Sequence, residues 1–207
     1  AMPPRAAGAP ARVFVGTSAS VWESTLTPDG DDDGAPDAFE TQYDGNNDSV
    51  PDATQRNVAT FASSTNSGPG LVTTAIVSGC AQLNNSAHVA ANRFPPDTAG
   101  DATSHDAWGL VRIEMPACAN AVVDVTFHGA NFLSGNHVWR NYGPKTPGDE
   151  GSFGWYSYAN ATRMGSQTWR LTIDATRQGN WRPDANNILF IGGPADLPDL
   201  IYANSFD

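Results

Sequence analysis

Acidic and amide side chains recur at fixed spacing in the stretch TPDGDDDGAPDAFETQYDGNNDSVPDATQ, residues 27–55. From Asp29 to Asp52 it holds nine acidic residues, and the whole stretch contains no Lys or Arg. Shifted by 15 residues, the stretch aligns on itself, so that 29–40 (loop 1) and 44–55 (loop 2) are two copies of one 12-residue pattern. Such crowded like charge opposes folding unless a counter-ion offsets the repulsion.

Each copy carries oxygen-bearing side chains at positions 1, 3, 5, 9 and 12, the spacing by which a 12-residue loop wraps Ca²⁺. Position 7 is expected to contribute a backbone carbonyl. The predicted ligands are Asp29, Asp31, Asp33, Ala35, Asp37 and Glu40 in loop 1, and Asp44, Asn46, Asp48, Val50, Asp52 and Gln55 in loop 2. The pattern therefore predicts one or two Ca²⁺ ions, with Asp37 bound directly or through water.

The two loops differ at the positions that matter most for affinity. Loop 1 has Gly34 at the sharp turn and Glu40 at position 12, whereas loop 2 has Ser49 and Gln55 there and the neutral Asn46 at position 3. We expect loop 1 to bind more tightly and loop 2 to hold a second, weaker ion. The alternative is a solvated acidic linker. Because no helix precedes either loop, a rigid clip is predicted rather than a paired-helix sensor.

Charge and cysteine usage narrow the class of protein. The 207-residue chain has a net charge of −11 and only 11 Lys and Arg, which excludes a basic nucleic-acid surface. No apolar run approaches the ~18 residues of a membrane span. Cys80 and Cys118 are predicted to form a disulfide rather than remain core thiols, because the acidic, Lys-poor composition and the opening AMPPRAAGAPA favour a secreted or cell-surface protein.

Short runs in which apolar and polar residues alternate follow the acidic stretch. These runs predict an all-β antiparallel sandwich of the jelly-roll or immunoglobulin-like kind. They lie at 71–78, 108–115, 121–128, 167–174, 187–193 and 199–206. Brief helical periodicity appears around 37–43 and 52–61, and SSTNSGPG (63–70) has the composition of a linker. The predicted organisation is an N-terminal arm and strand in 1–23, calcium loops in 24–61 and the sandwich in 62–207.

The stretch 12–22 also has the pattern of a strand. Its first residues, Arg12, Val13, Phe14 and Val15, are predicted to add to the sheet of another copy, since an unpaired strand is a liability. This favours a self-associating extracellular filament or surface subunit, with copies of itself as partners. The alternative function is a monomeric, calcium-stabilised adhesin or carbohydrate-binding module.

Catalytic signatures are missing from the sequence. No HExxH, GxSxG or P-loop occurs, and the consecutive Ser-His-Asp at 104–106 cannot converge as a triad, so we predict a protein that is not an enzyme. The aromatic residues form a candidate platform for a surface glycan, although core packing is the favoured role for about half of the group. The platform residues are Trp139, Tyr142, Trp155 and Tyr156.

Two resemblances add to these inferences. The DGxPDA cadence of the loops resembles thrombospondin type 3 repeats. The downstream chain resembles the choice-of-anchor U domain family of secreted bacterial surface proteins. The matching motifs are PDATQRNVATF (51–61), VSGCAQL (77–83), WGLVRIEMPAC (108–118), VTFHGANFLSG (125–135), WRNYGPKTPGD (139–149), WYSY (155–158) and IGGPA (191–195). This resemblance implies an exported β-domain beside calcium repeats at the cell surface, with no known catalytic activity.

Overall fold

The described chain is almost entirely β-structure. The structure, a computed structural model, describes residues 12–16, 21–25, 28–65, 68–96, 108–133, 137–146, 149–182 and 186–196. The strands are β1 (Arg12–Gly16), β2 (Val21–Thr25), β3 (Val58–Thr65), β4 (Gly68–Ser78), β5 (Ala87–Val89), β6 (Leu110–Met115), β7 (Asn120–Phe127), β8 (His137–Pro144), β9 (Phe153–Ser157), β10 (Ala161–Arg163), β11 (Thr168–Asp174) and β12 (Ile188–Asp196). One short α-helix, α1 (Asp37–Glu40), and 3₁₀ turns at Asp52–Thr54, Ala91–Arg93 and Glu150–Ser152 accompany them.

Ten of these strands form two antiparallel five-stranded sheets. Sheet I has the order β10-β11-β7-β4-β3, and sheet II has the order β5-β6-β12-β8-β9. The inward side chains of both sheets make one core, to which Val123 and Phe127 contribute from sheet I and Ile113 and Phe190 from sheet II. The predicted all-β antiparallel sandwich is therefore confirmed.

The period-2 pattern identified five of the ten strands of the sandwich, namely β4, β6, β7, β11 and β12. In β11, Trp169, Leu171 and Ile173 are buried, while the residues between them are more exposed. The predicted runs in 71–78, 108–115, 121–128, 167–174 and 187–193 all coincide with strands. The predicted strand at 199–206 lies outside the described residues.

The structure corrects three expectations in the first third of the chain. The predicted linker at 63–70 belongs to the β3–β4 hairpin, in which Thr65 pairs with Gly68. The helical periodicity at 52–61 gives one 3₁₀ turn followed by strand. Because β3 begins at Val58, sheet I includes residues that the predicted boundary at 61/62 assigned to the calcium segment.

The two cysteines are joined, as predicted. Cys80 follows β4, and Cys118 lies in the connection between β6 of sheet II and β7 of sheet I, with a Cα–Cα distance of 5.4 Å. The bond links residues 38 apart. In the chain-entropy model, a loop of that length corresponds to a stabilisation of about 3–4 kcal/mol.

Candidate metal centre

The sequence repeat is also a structural repeat. Three hydrogen bonds from a backbone N–H to a carboxylate recur in both loops. The N–H of position 6 donates to the carboxylate of position 1, and the N–H of position 7 donates to the carboxylate of position 5. The N–H of position 2 donates to the carboxylate of position 9. These bonds are Gly34 N to Asp29 Oδ2 (3.1 Å), Ala35 N to Asp33 Oδ1 (2.7 Å) and Gly30 N to Asp37 Oδ1 (2.8 Å) in loop 1, and Ser49 N to Asp44 Oδ2 (2.8 Å), Val50 N to Asp48 Oδ1 (2.9 Å) and Gly45 N to Asp52 Oδ2 (3.0 Å) in loop 2.

The backbone conformation of the two loops matches as well. Position 4 is left-handed in both, with φ of 61° at Asp32 and at Asn47. Position 6 is left-handed too, with φ of 102° at Gly34 and 71° at Ser49. A side chain on Gly34 would also collide with the backbone of Asn85, since a Cβ there would lie 2.2 Å from the Asn85 Cα. Glycine at position 6 of loop 1 is therefore required by both φ and space.

Loop 1 gathers carboxylate oxygens that have no protein partner. Ligand atoms of Asp29, Asp31 and Asp33 all lie within 4.8 Å of one another. Oxygens that share one Ca²⁺ at about 2.3–2.6 Å can be no more than about 5 Å apart, so this spacing fits a single ion. Five buried oxygens of the loop accept no hydrogen bond: Asp29 Oδ1, both Oδ atoms of Asp31, Asp33 Oδ2 and Glu40 Oε2.

Three of the four side chains that carry these oxygens are almost wholly enclosed, and that of Asp29 is partly exposed. Asp31 is 7% exposed, and Asp33 and Glu40 are fully buried. A buried carboxylate without a partner carries a large desolvation cost, so buried charges in proteins are normally paired or bind a metal. The orphaned oxygens of loop 1 therefore fit a cation and do not fit a solvated acidic linker.

The pKa values of the loop 1 carboxyls are raised because burial and mutual repulsion disfavour their charged forms. Burial raises the pKa of Asp33 to about 8, and repulsion from Glu40, Asp31 and Asp29 adds to the rise. Burial likewise raises the pKa of Glu40 to about 8, with further repulsion from Asp31 and Asp29. The pKa of Asp31 is raised by burial and then by Asp29. Without a cation, loop 1 must therefore hold protons at neutral pH.

The strand β3 fixes loop 1 to the sandwich. β3 is one of the two edge strands of sheet I, and alternate N–H groups of an edge strand face away from the sheet. Val58 N–H donates to Gln55 O (2.9 Å), and Thr60 N–H donates to Glu40 Oε1 (2.7 Å). Glu40 thus has one oxygen bonded to the sheet edge, and its other oxygen is one of the five in loop 1 that lack a hydrogen-bond partner.

Other contacts anchor loop 1 on the sandwich. Ala35 is fully buried in the main core, Ser86 N–H donates to Asp33 O (2.9 Å), and Arg56 Nε donates to Asp31 O (2.7 Å). Arg56 also pairs with the exposed Asp32 of loop 1 (Nη2 to Oδ2, 3.3 Å), and neither of its bonds reaches the Asp31 carboxylate.

The carboxylates of loop 2 accept hydrogen bonds from donors within the loop. The amide of Asn46 donates to Asp48 Oδ2 (2.9 Å), and the amide of Gln55 donates to Asp48 Oδ1 and Val50 O (both 3.1 Å). The Asn46 amide is the main cause of the lowered pKa of Asp48. No oxygen of loop 2 is among the described buried atoms that lack a hydrogen bond. The side chain at position 12 thus distinguishes the loops: Glu40 adds an unpartnered oxygen, and Gln55 adds a donor.

The position-9 carboxylates hold the loops together. Asp37 accepts from Gly30 and lies outside the group of three converging aspartates. Asp52 is fully buried and accepts from Gly45 N and from Thr60 Oγ1 (2.6 Å). Sequence reasoning missed Thr60, which contacts both loops, since its N–H bonds Glu40 and its hydroxyl bonds Asp52. Its proximity depends on how the loops fold back, and no local pattern encodes that.

The predicted aromatic platform is divided between the two faces of sheet II. Trp139 is 1% exposed and lies in the main core, where Tyr156 packs against it. Tyr142 and Trp155 belong to a separate, smaller apolar cluster. Trp155 is 7% exposed and donates its indole N–H to Pro95 O. The four residues therefore do not form one exposed row.

The predicted self-association strand has a local neighbour in the structure. β1, which contains Arg12, Val13, Phe14 and Val15, pairs antiparallel with β2 in a two-stranded sheet of its own. The single strand predicted over 12–22 is thus a hairpin, with residues 17–20 outside the described part of the chain.

The fold and site together define a class: a disulfide-linked, all-β sandwich with an edge joined to an acidic loop in which three aspartates bring ligand atoms within 4.8 Å of one another. Within the described residues, no helix is long and apolar enough to cross a membrane. Comparisons with family models, curated proteins and solved structures found no match to this chain. The resemblance to choice-of-anchor U domains and thrombospondin type 3 repeats therefore stays a prediction.

Proposed function

We propose that this chain is a Ca²⁺-binding structural module of an exported protein, with one ion bound in loop 1. The carboxylates of Asp29, Asp31, Asp33 and Glu40 bind the ion, and the carbonyl of Ala35 completes the set. The observation that supports this most strongly is the group of five buried carboxylate oxygens in loop 1 that lack a hydrogen-bond partner. Three of the residues that carry them, Asp29, Asp31 and Asp33, bring ligand atoms within 4.8 Å of one another.

The donor set favours Ca²⁺ over other cations. All the candidate donors are oxygens, which suits a hard cation, whereas Zn²⁺ and copper favour nitrogen and sulfur ligands. Four carboxylates from one loop suit the irregular coordination of Ca²⁺ by six to eight oxygens. Mg²⁺ instead keeps several waters in a near-ideal octahedron and is seldom enclosed by protein ligands alone.

The proposed role of the ion is to close the edge of sheet I. Glu40 bridges the ion and the outward N–H of Thr60, so the bound ion holds α1 and loop 1 over β3. Without the ion, the buried carboxyls of loop 1 can stay over the edge only by taking up protons, which costs stability at neutral pH and favours opening of this cover. An open edge strand invites pairing with another chain, so the ion protects the monomer as well as stabilising it.

Calorimetric titration of two variants with Ca²⁺ tests the assignment. Asp31→Ala removes two unpartnered oxygens, so it is expected to abolish most of the binding heat. Asn46→Ala, at the same position of loop 2, is the matched control and is expected to leave the affinity of the ion in loop 1 unchanged. Equal heats for Asp31→Ala and the unaltered chain at millimolar Ca²⁺ would exclude loop 1 as the site.

An exported location is supported by the disulfide, because such bonds persist mainly in oxidising compartments. The proposal of display at a bacterial cell surface rests on the family resemblance alone. Release of the protein from intact cells by surface proteolysis tests it, and strictly cytosolic recovery would contradict it.

Self-association is the second candidate function, and the N-terminal hairpin favours it. β1 and β2 form a two-stranded sheet separate from the sandwich. An isolated two-stranded hairpin is at best marginally stable in water, so pairing with a neighbouring copy would stabilise it. Deleting residues 1–25 is expected to leave a folded monomer that sediments alike with and without chelator, while the full chain forms larger species. A full chain that is monomeric at all concentrations would refute this candidate.

A further inference from the structure

A polar groove crosses the outer face of sheet I, away from the core. It has a volume of about 490 Å³ and spans β4, β7 and β11, with loop 2 along one side. Its lining residues are Gly45, Asn46, Asn47, Thr73, Ala75, Ile76, Val77, Asp124, Thr126, His128, Gln167, Thr168 and Arg170. Pockets of this size are typical of small-ligand sites.

Loop 2 forms a fitted wall for this groove. Gly45 lies so close to β4 that a Cβ on it would come within 2.0 Å of Thr73 Oγ1. The Thr73 hydroxyl also bonds Thr60 Oγ1 (2.6 Å) and His128 Nε2 (2.8 Å). Because Thr60 Oγ1 in turn donates to Asp52 of loop 2 (2.6 Å), hydrogen bonds join the wall to the floor. The left-handed Asn47 follows at the rim. The internally satisfied loop 2 therefore has a structural use that needs no ion.

The floor of the groove presents hydroxyl and planar polar groups. Arg170 and Asp124 form a two-bond ion pair, Nε to Oδ1 and Nη2 to Oδ2, both at 2.7 Å. The hydroxyls of Thr126 and Thr168 are joined at 2.9 Å. The ion pair uses two of the five N–H donors of the guanidinium, which leaves donors for a ligand.

Two side-chain amides are available on the margins of the groove. Asn47, on loop 2, and Gln167, just before β11, make no side-chain hydrogen bond within the described part of the chain. Each amide offers two donors and one acceptor oxygen. A β-bulge at the end of β4 adds an apolar contact, because the register shifts between Ile76 and Ser78 and Val77 is 48% exposed beside the groove.

The groove is close to neutral although the chain carries a net charge of −11. The charges of Arg170 and Asp124 compensate each other, and burial lowers the pKa of His128, which keeps that ring uncharged at neutral pH. A cationic ligand would therefore find no unpaired carboxylate on the floor. An anionic ligand would find no unpaired cation and would meet the acidic surface of the chain.

We propose that this groove binds a neutral oligosaccharide chain. Hydroxyl groups of a sugar match the paired threonine hydroxyls, the planar amides and the remaining donors of Arg170, and its apolar C–H surface fits Val77. The proposal assigns a glycan to a different place from the divided aromatic platform. It does not depend on whether loop 1 binds Ca²⁺.

Calorimetric titration of the full chain in Ca²⁺ buffer tests the proposal. The probes are the neutral hexasaccharides cellohexaose, xylohexaose, mannohexaose and maltohexaose, with hexagalacturonate and the chitosan hexamer as charged comparisons. At least one neutral probe is expected to bind. Asn47→Gly, which removes the amide but keeps the left-handed backbone, and Thr168→Val are each expected to weaken binding roughly five- to tenfold, the value of one neutral hydrogen bond.

Thr172→Val is the matched control for Thr168→Val. Thr172 lies on the same strand and face but outside the groove lining, so its hydroxyl is not expected to affect binding. Thermal unfolding verifies that each variant folds. The proposal is overturned if no neutral hexasaccharide binds, if only a charged probe binds, or if Asn47→Gly and Thr168→Val bind as well as Thr172→Val.

Discussion

Replacing Glu40 by glutamine would give loop 1 the position-12 chemistry of loop 2. The carbonyl of the new amide can keep the bond from Thr60 N–H, and its NH₂ group replaces the unpartnered Oε2. In loop 2, the equivalent amide of Gln55 donates to Asp48. We therefore expect Glu40→Gln to stabilise the metal-free protein while it weakens Ca²⁺ binding.

The size of the effect follows from the pKa of Glu40. Burial raises that pKa from 4.5 to about 8, so the carboxyl of the metal-free folded protein remains protonated at pH 7. A glutamate whose ordinary pKa is 4.5 costs about 1.4 kcal/mol to keep protonated for each pH unit above 4.5. At pH 7 this cost is about 3 kcal/mol in total. Glutamine avoids this cost. For a chain of about 200 residues, that difference raises Tm by roughly 6–12 °C.

Differential scanning calorimetry at pH 7, with chelator and with excess Ca²⁺, measures both effects. At 100 times its Kd, a bound ion stabilises the unaltered chain by about 2.7 kcal/mol. Glu40→Gln is expected to retain less than about 1 kcal/mol of this gain. Gln55→Glu is the reciprocal control: it removes the donor to Asp48, so loop 2 is expected to become less stable in chelator and to gain Ca²⁺ affinity.

A lower Tm of Glu40→Gln in chelator, together with an undiminished shift on adding Ca²⁺, would refute this reasoning. It would mean that Glu40 is a structural acceptor for Thr60 and contributes nothing to an ion.

Further predictions concern pH, the turn and the disulfide. Because the pKa values of Asp33 and Glu40 are raised, the metal-free folded state binds more protons than the unfolded chain between about pH 4 and 8. Tm in chelator should therefore fall as pH rises through that window, while the Tm shift caused by Ca²⁺ grows. A flat profile of Tm against pH would contradict this. Gly34→Ala, which places a Cβ at φ 102° against backbone, should cost at least about 2 kcal/mol in denaturant unfolding, and a neutral effect would show that the turn can relax. Replacing both Cys80 and Cys118 by serine should cost about 3 kcal/mol in the same assay, and an unchanged midpoint would show that the bond does not constrain the unfolded chain.

The sequence predicted those features whose cause is local. The 15-residue repeat predicted two loops of the same form. The differences at Gly34 and Glu40 predict that loop 1 binds Ca²⁺ more tightly, and that stays a prediction. Alternation of apolar residues predicted the central strands and the sandwich, because the period of a half-buried strand is visible in a few residues.

Features that depend on distant contacts escaped sequence analysis. The bonds from Thr60 to both loops require the chain to fold back on β3, and the groove requires three strands and loop 2 to meet. The Gly- and Ser-rich turn of the β3–β4 hairpin has the composition of a linker, so its position in a sheet was not visible. The platform prediction grouped aromatic residues that a strand places on opposite faces, as the core position of Trp139 illustrates.

The most direct test of the central claim is a crystal structure of the Ca²⁺-loaded chain with anomalous diffraction data. The account predicts an anomalous peak in loop 1, with oxygens of Asp29, Asp31, Asp33 and Glu40 at about 2.3–2.6 Å from the ion. A loop 1 without such a peak, or an ion found only in loop 2, would contradict it.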